Sequence, residues 1–218
     1  MTRLIFVRHG ESQVTVNRVV GGPRSCIGLS DLGRRQAANL RDRWTQTSEF
    51  TPDLVISSAY PRAKETAEIV LPAFAGRSIE VIPEFGEHDP GPQCDGLKYT
   101  EFTERFGDPD WENDPYGVTF PGGETIAEFQ IRIGVATRAL IERVGSGTAI
   151  VFCHGGVVDT VLRQSLRTSG TGIFEIHTKN TSITEFVIVR PGRSRLVRYN
   201  DAAHTADLPA STNRPEDF

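Results

Sequence analysis

Two short apolar runs in the chain each end in a histidine followed at once by glycine. These are Leu4-Ile5-Phe6-Val7-Arg8-His9-Gly10 and Ala149-Ile150-Val151-Phe152-Cys153-His154-Gly155-Gly156. A third run, Asp53 to Ile56, leads through Ser57-Ser58 into a helix-like stretch that opens with Pro61 and carries Arg62. Imidazoles act as nucleophiles or proton carriers near neutral pH. Guanidinium groups (Arg8, Arg62) fork two N–H donors toward one oxyanion. Glycine lets backbone approach a ligand where a side chain would block it. Any one of these motifs alone reads as turn chemistry at a strand end. Delivered together, two imidazoles, two guanidiniums and free amides match a tetrahedral dianion such as a phosphoryl group.

The elements that must deliver them follow from hydrophobic periodicity. Unbroken apolar runs at Leu4–Val7, 53–56 and 148–153, and more weakly 79–82, read as strands buried on both faces, as in parallel sheets. Helical spacing covers about Asp31 to Thr45, Pro61 to Leu71, Thr125 to Val144 and Val157 to Leu166, with a short helix near Lys98 to Arg105. Alternating strands and helices predict an α/β fold: a three-layer α/β/α sandwich with a mostly parallel central sheet. In such sheets ligands bind beyond the carboxyl ends of the strands, where all three motifs fall. Thr181 to Val189 and Ser194 to Tyr199, around Arg190-Pro191-Gly192-Arg193, predict a late hairpin at an antiparallel edge, and Ser58 is expected to cap the helix carrying Arg62. A single domain over 1–206 with a mobile polar tail, 207–218, completes the layout.

Bulk composition narrows the partners. The 218 residues carry 24 Lys+Arg against 28 Asp+Glu, a formal charge of −4. Without a basic run, no nucleic-acid or anionic-membrane footprint is expected. The three cysteines, Cys26, Cys94 and Cys153, are scattered without metal-ligand spacing, so neither a disulfide framework nor a metal site is expected. The apolar N-terminal run is too short for a signal core, and no stretch approaches a transmembrane span, which makes cytoplasmic residence the expectation. An exposed edge strand would permit a homodimer.

Five ordered segments carry a family resemblance. They are Leu4 to Ser12, then Gly28-Leu29-Ser30-Asp31-Leu32-Gly33-Arg34-Arg35-Gln36-Ala37, then Ser57-Ser58-Ala59-Tyr60-Pro61-Arg62-Ala63-Lys64-Glu65-Thr66-Ala67, then Pro121-Gly122-Gly123-Glu124-Thr125, and Phe152 to Gly156. In this order the chain resembles the histidine phosphatase superfamily, the phosphoglycerate mutase-like proteins. The resemblance implies that Arg8, His9, Arg62 and His154 form a phosphate pocket and that His9 becomes phosphorylated. It implies no cofactor and no metal, a small phosphorylated substrate, and inorganic phosphate as product. Gly155 and Ser12 would add phosphate contacts.

The family also requires an acid for the departing alcohol. Glu87, in Phe85-Gly86-Glu87 before Gly91, has the matching register. Glu84, His88 and Asp89 compete, and a distant branch uses the aspartate of a His-Asp pair such as His88-Asp89. Where the family commonly has asparagine six residues after the nucleophile, this chain has Thr15, so Asn17 or the Ser12–Thr15 pair would take that contact. A metal-independent phosphomonoesterase is the leading reading. The alternative is a bisphosphoglycerate-dependent phosphoglycerate mutase, which needs basic residues after the acid, whereas segment 88–123 holds only Lys98 and Arg105. A non-catalytic phospholigand-binding module is a third reading. His177, His204, Trp44 and Trp111 are expected to serve structure.

Overall fold

The computed structural model describes residues 1–108, 116, 120–171 and 174–212. Trp111 and the last six positions of the tail lie outside the described residues. In chain order the elements are β1 (Thr2–Arg8), α1 (Gln13–Val16), α2 (Asp31–Thr47), β2 (Leu54–Ser57), α3 (Pro61–Val70) and β3 (Ile79–Val81). There follow α4 (Gly91–Cys94), α5 (Tyr99–Phe106), α6 (Ile126–Val144), β4 (Thr148–Cys153), α7 (Gly155–Leu166), β5 (Ile183–Arg190) and β6 (Arg193–Asp201).

The strands form one six-stranded sheet in the order β3-β2-β4-β1-β5-β6. The first four are mutually parallel, while β5 runs antiparallel to β1 and β6 antiparallel to β5. The apolar runs are continuous because both faces of the sheet are covered. Leu4 and Phe6 of β1, with Ala149 and Val151 of β4, pack under Phe129, Ile133 and Leu140 of α6 and Val158, Val161 and Leu162 of α7. Ile5 and Val7, with Ile150 and Phe152, face Leu40 and Trp44 of α2 and Ala67 and Val70 of α3. This is the expected mostly parallel three-layer α/β/α arrangement.

One correction concerns local structure. Ser58 does not cap α3. The N-cap is Tyr60, whose side chain makes no capping bond, and Pro61 occupies the first turn, where its missing N–H costs nothing. The late hairpin forms the expected antiparallel edge of the sheet. β5 pairs with β1 along its length, from Thr2↔Ile188 to Val7↔Ile183, so its leading turn lies against the end of β1.

The loop after β1 crosses α2 at van der Waals limits. A Cβ on Gly10 would meet the Gly33 carbonyl oxygen at 2.5 Å, and one on Gly33 would meet the Glu11 carbonyl oxygen at 2.0 Å. Glu11 is buried there, its carboxylate accepting from Ser30 Oγ at 2.7 Å and from the Thr212 amide at 2.8 Å. Gln36 Nε2 donates to Ser211 Oγ at 2.8 Å, so two residues of the polar C-terminal stretch sit on this crossing. Among the described residues, no helix is long and apolar enough to cross a membrane.

Candidate active site

Sheet register builds the site. Arg8 of β1 pairs with Cys153 of β4, so the next residues, His9 and His154, emerge side by side, and the His9 amide donates to the Cys153 carbonyl at 2.9 Å. β2 lies on the other side of β4, with Ser57 opposite Phe152, and sends α3 and Arg62 back over the same edge. The two imidazole centroids are 5.2 Å apart.

Hydrogen bonds fix both tautomers. Arg62 Nε donates to His9 Nε2 at 3.1 Å and is shared with His154 Nδ1 at 3.3 Å. Each of those ring nitrogens therefore presents a lone pair. The proton of His9 sits on Nδ1, bonded to the Gly10 carbonyl at 2.6 Å, and that of His154 on Nε2, bonded to Ser58 Oγ at 2.7 Å. Burial, reinforced by the positive charges of Arg62 and then Arg8, holds His9 well below its ordinary pKa. Burial and Arg62 do the same to His154. Both rings are neutral at pH 7, and His9 Nε2 carries a lone pair at the edge of the sheet.

The cations are held in turn. The Arg62 guanidinium stacks over the Tyr60 ring, 4.6 Å from its centroid, and Nη1 donates to the Gly21 carbonyl at 3.3 Å. Arg8 Nη1 donates to the Thr178 carbonyl. Its Nε is buried without a partner, as is Thr178 Oγ1, and both lie 3.6 Å from where a Gly155 Cβ would stand. Burial lowers the Arg8 pKa to about 10, still charged at neutral pH. Unpaired buried donors around a bare glycine suit an incoming anion, because a buried donor without a partner costs free energy that a ligand oxygen recovers.

The acidic loop sorts itself by its partners. Glu87 Oε2 accepts from the Gly156 amide, the second residue of α7, at 3.1 Å, which brings its carboxylate beside His154. A Cβ on Gly156 would collide with Glu87 Oε1 at 2.4 Å. Arg132 of α6 clamps the loop from behind through the carbonyls of Glu84 (2.7 Å), Gly86 (3.2 Å) and Glu87 (3.2 Å). Asp89 is spent on a turn, accepting from the Gly91 amide at 2.9 Å, and His88 Nε2 bonds the Glu124 carbonyl at 2.6 Å.

Not every sequence candidate joins this group. Ser12 is buried and its hydroxyl pairs with Thr15 Oγ1 at 2.9 Å at the start of α1. Asn17 is exposed at the end of α1, where its carbonyl accepts from Lys98 Nζ at 2.9 Å. Neither has a hydrogen bond to His9, Arg62 or His154 among the described residues. Other residues join unannounced. Asn180 Nδ2 donates to the His9 carbonyl at 3.0 Å, and the Thr181 amide to the Arg8 carbonyl at 2.9 Å. Thr66 Oγ1 accepts from the Gly10 amide at 3.1 Å. The Tyr-Pro-Arg order carried a signal for Tyr60. For Asn180 and Thr181 only the pairing of β5 with β1 could reveal the contact.

Among the described residues there is no cluster of three or more His, Cys, Asp or Glu arranged to hold a metal ion. The profile of the histidine phosphatase superfamily (branch 1) matches residues 4–202. The chain belongs to the histidine phosphatase superfamily. An acid phosphatase of Mycobacterium tuberculosis is 31% identical over 155 residues, 70% of this chain and 70% of its own length. A 2,3-bisphosphoglycerate-dependent phosphoglycerate mutase of Parvibaculum lavamentivorans is 27% identical over 168 residues, 74% of this chain and 78% of the relative. The crystal structure of Bacillus stearothermophilus YhfR superposes with a TM-score of 0.79 at 24% identity, covering 94% of this chain and 99% of that one. Phosphatase names predominate among such relatives, with mutases present. The protein is thus a histidine phosphatase family enzyme.

Proposed function

We propose that this histidine phosphatase hydrolyses a small phosphomonoester through a phosphohistidine on His9. The observation that carries the reading is the His9 tautomer: Nδ1–H is tied to the Gly10 carbonyl, leaving the Nε2 lone pair aimed at Arg62. The substrate phosphoryl displaces the Arg62 bond to His9 and takes the donors of Arg62 and Arg8. His9 Nε2 attacks phosphorus in line as the bond to the alcohol oxygen breaks, and Glu87, in its acid form, protonates that oxygen. The guanidiniums offset charge on the equatorial oxygens, with His154 held beside His9 by the shared Arg62 Nε and by Ser58. Glu87, now a carboxylate, takes a proton from water, which attacks phosphorus and breaks the P–N bond. Inorganic phosphate leaves and His9 returns to its neutral form. Gly155 gives the phosphoryl group room beside Arg8.

Hydrolysis is favoured over mutase transfer by the scarcity of cations in segment 88–123, which holds only Lys98 and Arg105. Lys98 is bonded to the Asn17 carbonyl and Arg105 is paired with Glu101 on its own helix. Turnover of p-nitrophenyl phosphate is expected, with His9→Ala losing on the order of 10³-fold or more in kcat. An acid-labile, base-stable phosphoenzyme should be trapped in the wild type only. Equal rates in the two proteins would sink the His9 mechanism. With 3-phosphoglycerate and a bisphosphoglycerate primer, phosphate release should outrun isomerisation; the reverse ranking would establish the mutase.

A further inference from the structure

The opposite end of the sheet carries a groove that the chemistry above does not use. It has a volume of about 840 Å³ and runs past Thr2 at the start of β1, Gly145 and Ser146 before β4, and the Pro191-Gly192 turn of the β5–β6 hairpin. The proposed catalytic residues all lie at the opposite, carboxyl edge of the parallel strands. Its floor is apolar: Leu4, Ile141, Val161, Phe186 and Ile188. Its rim is cationic, with Arg138, Arg167, Arg190 and Arg193 against the single acid Glu142. All four arginines are exposed, and none forms an ion pair among the described residues.

Two of these arginines oppose each other directly. Arg190 and Arg193 are cross-strand partners next to the hairpin turn. Like charges in that register destabilise a sheet pair, and a chain of net charge −4 has ample acids that could have relieved it. An anion between them removes the repulsion. The volume falls within the range of sites that enclose one small molecule rather than a protein partner. A second copy of the chain fits poorly, because a two-fold interface would bring the same four arginines against one another.

We infer that this groove is a binding site for a small anionic amphiphile, an apolar chain or ring bearing a carboxylate, sulfate or phosphate. The apolar body lies on the half-buried Ile141 and Ile188, above Leu4, Val161 and Phe186, and the head group is held between Arg190 and Arg193.

Decanoate below its micellar concentration, titrated calorimetrically into the full-length protein, tests this directly. Saturable binding is expected, weakening about two- to fourfold per methylene removed toward hexanoate. Decyltrimethylammonium should not bind measurably. The double variant Arg190→Gln/Arg193→Gln should lose at least tenfold in decanoate affinity while keeping wild-type turnover of p-nitrophenyl phosphate, which also certifies its fold. Undiminished decanoate binding by that variant, binding independent of chain length, or equal binding of the cationic amphiphile would each overturn the proposal. So would ligand-free dimerisation abolished by the double variant, which would assign the groove to a second copy. Co-sedimentation with phosphatidylglycerol vesicles in the absence of decanoate binding would assign it to a membrane surface and would equally overturn it.

Discussion

A carboxylate's role depends on what its other neighbours leave it free to do. Glu84, Glu87 and Asp89 lie within six residues, and no spacing rule ranks them by chemistry. The Gly156 amide draws Glu87 toward His154, while Asp89 is engaged with the amide of Gly91. Glu87→Gln is therefore expected to lower kcat about 10²- to 10⁴-fold on an alkyl phosphate, whose poor leaving group needs a proton. On p-nitrophenyl phosphate the loss should be much smaller in the first step, visible as a retained burst of nitrophenol. Asp89→Asn should leave both rates near wild type. A matching loss in Asp89→Asn would move the acid to that residue. That Arg8, His9, Arg62 and His154 meet at one sheet edge was legible because each ends or follows a strand or opens a helix, positions that local pattern defines. Asn17 was not, since its place depends on where α1 ends rather than on the count from His9.

At the scale of elements, long periodic segments announced themselves. β4 spans Thr148–Cys153 as its apolar run predicts, and α6 begins after Thr125 in a capping box with Glu128. α1 and α4, four residues each, offer too few positions for a period to show. Element contacts also carry a consequence for His9, the proposed nucleophile. Gly10 and Gly33 meet backbone to backbone, where nothing flexible can yield. Gly33→Ala is expected to destabilise the protein by about 1–3 kcal/mol, the usual cost of overpacking. It should also lower kcat beyond what its residual folded fraction explains, by pushing the Gly10 carbonyl off His9 Nδ1. Urea unfolding with parallel kinetics separates the two effects, and a variant as stable as wild type would contradict the crossing. Gly107→Ala, which meets nothing within 4 Å but has a positive φ, controls for backbone strain alone.

For the whole molecule, acid stability follows from histidines buried as neutral bases. His204 donates from Nε2 to Thr181 Oγ1 at 2.9 Å, because that hydroxyl already gives its proton to the Asn180 carbonyl. Its Nδ1 is buried without a partner, and burial above all drops its pKa from the ordinary 6.5 to about 4. The unfolded chain takes up that proton below pH 6.5 while the native state refuses it until about pH 4, so stability falls as pH falls through that window. At ~1.4 kcal/mol per pKa unit the loss approaches about 3 kcal/mol. His9 and His154, both shifted in the same direction, add to it. Melting temperature should drop between pH 7 and 4.5, more steeply in the wild type than in His204→Gln. Parallel curves would show that His204 does not contribute.

The sequence by itself determined the alternation of strands and helices, the α/β class, and the four charged or imidazole side chains that gather at the carboxyl edge of the sheet, the proposed phosphate pocket. Hydrophobic period and turn residues are local properties, readable wherever a segment is long enough. It could not determine that β4 lies between β1 and β2, which alone makes neighbours of His9, His154 and the helix carrying Arg62. Nor could it show that β5 pairs with β1, bringing Asn180 and Thr181 onto the backbone of His9 and Arg8, or that the Gly156 amide bonds Glu87. Strand order, register and the choice among equivalent acids depend on contacts between residues distant in the chain. The competition for those contacts is settled only when both cores close around the sheet.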